Sequence, residues 1–121
     1  MHVQLDKRTD HVILRLSGKF DFGARRDVTA ALEKVLTKPT PVQIVINLYD
    51  VSYIDSSALG QLLVLLDKAT NAGRKLLLSG ARGTVEQVLQ IANFEKRFKF
   101  IEHTPGFFRD LEKVEKSPSA A

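Results

Sequence analysis

The chain has no cysteine. That excludes a disulfide framework and thiol catalysis, and it fits a reducing compartment. No apolar run reaches the roughly 18–20 residues needed to span a bilayer. The first ten residues, MHVQLDKRTD, lack the apolar centre of a signal peptide. A cytoplasmic protein without membrane insertion is therefore expected. Histidine is scarce: His2, His11 and His103 are spread along the chain, with no H-x₃-H or H-E-x-x-H spacing, so no metal site is expected. The seven glycines form neither a P-loop nor G-x-G-x-x-G, and no other cofactor signature is present. Gly80-Ala-Arg-Gly83 follows an apolar run and reads as a tight turn. A G-x-S-x-G elbow is absent, and no histidine is tied by sequence to a candidate serine, which argues against a hydrolase and an enzymatic role. The net charge of +4 comes from scattered residues, apart from Arg25-Arg26 and Lys96-Arg97-Phe98-Lys99. Solvated faces explain such short runs, and nucleic-acid binding is not expected.

The 121 residues are 44% hydrophobic and 26% charged, which suits one domain with one sizeable core. Val3–Asp6 and His11–Ser17 alternate as strands and form a hairpin around Lys7–Asp10. Gly18 ends the second strand, and Lys19–Gly23 is a loop holding Asp21. From Ala24 the period becomes helical, with Ala24, Val28, Ala31, Leu32, Val35 and Leu36 in one stripe. Lys38-Pro-Thr-Pro41 stops that helix. Val42–Leu48 is apolar enough for the sheet centre. A helix from Ser56 turns Leu59, Leu62, Leu63, Leu66 and Ala69 inward and closes at Gly73. Lys75–Ser79 reads as a strand. Thr84 and Gln87 read as a capping box opening a helix with Val85, Val88, Leu89 and Ala92 inward. Phe98–Ile101 is a last short strand. Thr104-Pro105 opens a final helix carrying Phe107, Phe108, Leu111 and Val114. The order predicts an α/β fold. Its mixed four- to five-stranded β-sheet starts with a β-hairpin and carries about four helices in a single domain over 1–116, with 117–121 as a frayed tail.

The chain is organised around Gln43–Asn71. Ile44-Val45-Ile46 opens it, a polar turn ends in Asp55-Ser56-Ser57, and a long apolar helix follows. Two hydroxyls and a carboxylate thus sit where a strand hands over to a helix, at the positive end of the helix dipole. Asp55 or Ser56 can serve simply as a helix cap. Alternatively, one serine accepts a phosphate. The helix N-terminus tolerates the roughly −1.5 to −2 charge of a phosphoserine, so the fold survives while the surface changes.

The segment Ile46-Asn-Leu-Tyr-Asp-Val-Ser-Tyr-Ile-Asp55-Ser56-Ser57-Ala58-Leu59-Gly60 closely resembles the signature of STAS-domain anti-sigma factor antagonists, D-x-S/T-x-(apolar)-x-D-S-S/T-G/A-L-G. Gly18-Lys-Phe-Asp21, Asn71-Ala-Gly73-Arg-Lys-Leu and Val88-Leu-Gln-Ile-Ala-Asn-Phe94 resemble further parts of that family, so the likeness spans about Val3–Val114. It implies the STAS fold and partner switching. The unphosphorylated antagonist binds a GHKL-type serine/threonine kinase that is also an anti-sigma factor, and so frees that kinase's output protein. The kinase phosphorylates the first serine of D-S-S, and a PP2C-type phosphatase reverses this. By position Ser56 is the phosphoacceptor. Asp21, Asp55, Ser57 and Ala58 join it on the partner-binding surface of a protein expected to be a monomer.

Two other classes fit parts of the pattern. A STAS accessory subunit of a lipid-transport ABC complex would bind its partner without depending on Ser56. A receiver-type domain would phosphorylate Asp50 or Asp55 and needs Mg²⁺ held by a further acidic cluster, for which the earlier strand ends offer only Asp6 and Asp21. Thr84 is a candidate second modification site.

Overall fold

The computed structural model describes residues 1–103. Five strands, β1 (His2–Lys7), β2 (His11–Phe20), β3 (Gln43–Ile54), β4 (Lys75–Ser79) and β5 (Lys99–Ile101), alternate with α1 (Arg25–Leu36), α2 (Ser56–Asn71) and α3 (Gly83–Ile91). Short 3₁₀ turns at Phe22–Ala24 and Phe94–Lys96 lead into α1 and β5. The expected final helix after Thr104 and the tail 117–121 lie outside the described residues.

The strands lie in the order β1-β2-β3-β4-β5. The hairpin pair is antiparallel and the three following pairs are parallel. Right-handed crossovers between successive neighbours put α1, α2 and α3 on one face of the sheet. Val12, Leu14, Leu16, Ile44, Ile46, Leu48, Leu76 and Leu78 point into that face and pack against Val28, Leu32, Leu62, Leu65, Ala69, Val85 and Leu89. The alternation read in β2 sets this arrangement, and β3 sits at the centre as its composition predicts.

Three boundaries differ from the sequence reading. β2 runs through Gly18 to Phe20, and β3 does not stop at Leu48: the stretch expected as a polar turn continues as strand to Ile54. Ser17–Phe20 pair with Asp50–Ile54 through two register shifts. These shifts turn Val51 and Ile54 inward three residues apart while Asp50, Ser52 and Tyr53 face solvent, so the two-residue period of a strand is lost here. The third difference is at α3. The helix begins at Gly83, and its N-cap is Arg82 without a side-chain cap bond. The chain enters through Gly80 and Gly83, both with positive φ, which places Thr84 inside the first turn. A Cβ on Gly80 would meet Tyr49 Cβ and N at 3.0 Å, so this turn requires glycine.

Within α2 the innermost residues are Ala58, Gln61, Leu62, Leu65 and Ala69. Leu59, Leu63 and Leu66 pack at the margin. Ala92, expected inward, is exposed, and Asn93 in the left-handed region ends the preceding helix. Buried Arg74 donates to the Pro41 carbonyl at 3.2 Å and to the Lys38 carbonyl, tying down the proline-rich connection before β3.

Candidate functional site

The paired ends of β2 and β3 build the site. Asp55 N–H donates to the Phe20 carbonyl at 3.3 Å. Asp21, the residue after Phe20, therefore sits at the same end of the sheet as Asp55, and both are half-buried. The 3₁₀ turn Phe22–Ala24 packs against α2 and completes this end of the molecule.

Asp55 is extended and is the N-cap of α2. Its Oδ1 accepts the Ala58 N–H at 3.0 Å and the Ser57 hydroxyl at 2.7 Å. Those two bonds, the Ser57 hydroxyl first and the Ala58 amide second, hold the Asp55 carboxyl below the usual carboxylate range. The carboxylate is thus ionised at neutral pH and committed to the helix start. Ser57 is half-buried and engaged. Ser56, the first helical residue, is exposed, and its hydroxyl has no hydrogen-bond partner among the described residues. Of the adjacent serines, only Ser56 offers a free hydroxyl to another protein. The Ala58 side chain is fully buried in the core beneath the turn.

Two exposed aromatic residues that the sequence reading did not single out lie near this turn along the chain: Phe22 follows Asp21, and Tyr53 is two residues before Asp55. Phe22 is 68% exposed and Tyr53 is 49% exposed. The Arg25 guanidinium lies 5.1 Å from the centre of the Phe22 ring. Gln61, buried and also missed, donates to the Arg25 carbonyl and to Thr29 Oγ1, each at 2.7 Å, and so fixes the start of α1 beside α2. A polar residue at a helical core position was the available signal for Gln61. An aromatic three residues before Ser56 was the signal for Tyr53.

Of the acidic residues considered for a receiver-type site, Asp21 and Asp55 share one end of the sheet, whereas Asp6 and Asp50 lie elsewhere. Asp6 is bound to Arg8 and Arg15, and Asp50 is exposed midway along β3, opposite Ser17. Among the described residues no group of three His, Cys, Asp or Glu side chains could hold a metal ion. No described helix is long and apolar enough to cross a membrane.

A hairpin-led mixed sheet, helices on one face and a D-S-S with its first serine exposed at the head of the second helix together define an α/β domain of the anti-sigma-factor-antagonist type. The chain belongs to the STAS domain family, whose model matches residues 2–112. It is 41% identical over 86 residues to a STAS-domain containing protein of Pseudomonas aeruginosa (strain UCBPP-PA14), covering 71% of this chain and 83% of that protein. It is 32% identical over 94 residues to the anti-sigma F factor antagonist of Lysinibacillus sphaericus, covering 76% of this chain and 80% of that protein. The fold matches the anti-sigma factor antagonist SpoIIAA in its unphosphorylated form, with a TM-score of 0.70 and 23% identity over 85% of this chain and 89% of that one. SpoIIAA in its phosphorylated form gives a TM-score of 0.65 and 22% identity, over 85% of this chain and 92% of that one.

Proposed function

We propose that this chain is a phosphorylation-controlled anti-sigma factor antagonist, acting as one domain over residues 1–116 in the cytoplasm. The unphosphorylated form binds a GHKL-type serine/threonine kinase that doubles as an anti-sigma factor, and the bound regulator releases its output protein. That kinase phosphorylates Ser56, and a PP2C-type phosphatase restores the binding form. The protein acts by occupying its partner and carries out no catalysis of its own.

The observation that carries this reading is the division of labour at the turn. Asp55 and Ser57 hold the cap, and the Ser56 hydroxyl stands exposed on the first residue of α2. A phosphate there gains from the helix dipole, by about 0.3–1 kcal/mol at an exposed terminus. It also lies one residue from the ionised Asp55, where like charge opposes it. These local effects are small and leave the fold intact. At a packed interface the outcome differs, because an unpaired dianion must lose water and displace a contact. A loss of about 2.7 kcal/mol is already a 100-fold weakening.

The test is binding to a kinase of this class. Ser56→Ala retains binding and cannot be switched off, whereas Ser56→Asp weakens binding. If Ser56→Asp binds as tightly as the wild type, the mechanism is wrong.

A further inference from the structure

The end of the sheet opposite Asp55 carries a hollow that the switch does not use. Leu5 and Lys7 stand two residues apart on β1 and so share a face. Lys7 pairs with Val12, which begins the apolar row of β2 beneath the helices. The end of α1 and the connection up to Pro41 close over them, and a cavity of about 140 Å³ lies between. Its apolar floor is Leu5, Val12 and Val35. Val12 and Val35 belong to the core, and Leu5 is half-buried. An apolar cavity of about 150 Å³ can hold benzene, so this one has room for about six carbons.

The rim is cationic. Lys7, Lys34 and Lys38 line the opening, and among the described residues no carboxylate lines it or pairs with these three ammonium groups. A fourth cation sits behind the wall. Arg74 is 7% exposed and donates to the carbonyls of Pro41 and Lys38, both of which line the cavity. Its donors are met, but its charge has no counter-ion among the described residues. Buried charges are ordinarily paired, and like charges gathered at one opening repel. The end of a helix carries partial negative charge that would oppose an anion. Here that charge is covered. The Lys34 carbonyl accepts the Thr37 amide at 3.4 Å and the Thr37 hydroxyl at 2.7 Å, and the Lys38 carbonyl accepts Arg74.

We propose that this hollow binds a small amphipathic anion, a straight-chain monocarboxylate of about six carbons or more. Its carboxylate sits among Lys7, Lys34 and Lys38, and its chain lies on Leu5, Val12 and Val35. Leu5 and Lys34 also border a second, more open trough of about 360 Å³ that runs toward Val3 and Ala31, which gives longer chains a path. Asp27 stands at that trough and repels a second carboxylate, so a dicarboxylate fits poorly. An inorganic anion meets the cations but leaves the apolar floor bare. The inference is independent of any role for Ser56, because Val12 and Phe20 lie at opposite ends of β2 and Phe20 adjoins Asp55.

The test titrates the full chain, labelled at its valine and leucine methyls, with hexanoate and follows the methyl resonances. Saturable shifts at Leu5, Val12 and Val35 are expected, with a Kd of about 1 mM, the strength within reach of so few heavy atoms. Hexanol keeps the chain without the charge, and sulfate keeps the charge without the chain. Each should bind at least tenfold more weakly than hexanoate. Lys34→Gln combined with Lys38→Gln removes two exposed charges and should leave the circular dichroism spectrum unchanged. It should weaken hexanoate at least tenfold and hexanol not at all. Shifts that fail to saturate, or that fall away from these three residues, overturn the proposal. So does hexanol binding as tightly as hexanoate, or an unchanged hexanoate affinity in the double variant. Sulfate binding as tightly would reduce the rim to a site for an adventitious ion only. The comparison of the three probes on the wild type decides the matter whatever the stability of the variant.

Discussion

The Ser57 hydroxyl donates to Asp55 Oδ1 at 2.7 Å, while Ser56 beside it is exposed and unengaged among the described residues. Adjacent serines of identical intrinsic chemistry are thereby given different roles by one carboxylate. Asp55→Ala removes the acceptor of both the Ser57 hydroxyl and the Ala58 amide. It should lower the melting temperature followed by circular dichroism by a few degrees. Asp55→Asn keeps a side-chain oxygen at the cap and should recover most of the loss.

Stability should fall on acidification in two separate windows. Burial disfavours the charged form of His103, and Arg15 and Arg82 add to this against the opposing pull of Asp50, so its folded pKa lies below the ordinary value. Asn47 uses its amide hydrogens toward Ser79 and His103, which requires an unprotonated Nδ1. The neutral ring's contribution is complete above the unfolded value of about 6.5 and is lost as pH falls through the folded value. For Asp6, burial opposes the charge, but hydrogen bonds from Arg8 and Arg15 outweigh it and the net shift is downward. Its contribution is complete above the ordinary value of about 3.9 and is lost as pH falls further. Urea midpoints measured from about pH 8 to about pH 3 should show both declines. His103→Gln should remove the upper one and leave the lower.

Core truncation should cost stability without re-routing the switch. Leu62 is fully buried, and Leu62→Ala should destabilise by about 2–5 kcal/mol. Gln61→Leu keeps roughly the volume but removes the hydrogen bonds to the Arg25 carbonyl and Thr29 Oγ1, at a cost of about 0.5–1.5 kcal/mol. Chemical denaturation measures both. Each folded variant should still accept phosphate at Ser56.

Phe22 and Tyr53 should behave in the opposite way. Because both are largely exposed, Phe22→Ala and Tyr53→Ala should leave the melting temperature nearly unchanged. As exposed aromatics one residue from Asp21 and two residues from Asp55, each should weaken partner binding by about tenfold on substitution, read by calorimetric titration.

Much of this molecule is legible in its sequence. The alternation of Val12, Leu14 and Leu16, the β-branched run at Ile44–Ile46 and the apolar stripe of α1 each follow one period, and each element forms where that period places it. The place of the candidate site in the fold is legible because Asp55 and Ser56 read as a strand-to-helix junction, and the structure puts Asp55 at the cap and Ser56 exposed on the first helical residue. The rest depends on tertiary pairing. Residues Asp50–Tyr53 are too polar to read as strand, and they become one because β2 runs alongside them and bulges hide the period. Thr84 has the residue type of a cap, yet the glycines around it set where α3 begins. Ala58 reads as part of an exposed motif and is buried, since nothing in a motif states which way a helix rotates. Phe22 carries no signature and Tyr53 only its place three residues before Ser56, so their exposure is seen only in the tertiary structure.

The most direct test of the switch is intact-mass and phosphopeptide mapping of the protein recovered from its native cells. Wild type and Ser56→Ala should be compared, with and without phosphatase treatment. The account predicts one stable phosphate on Ser56, removed by the phosphatase and missing from Ser56→Ala. A phosphate on Ser57 or Thr84 alone, or none under any growth condition, would contradict it and reduce Asp55-Ser56-Ser57 to the cap of a helix.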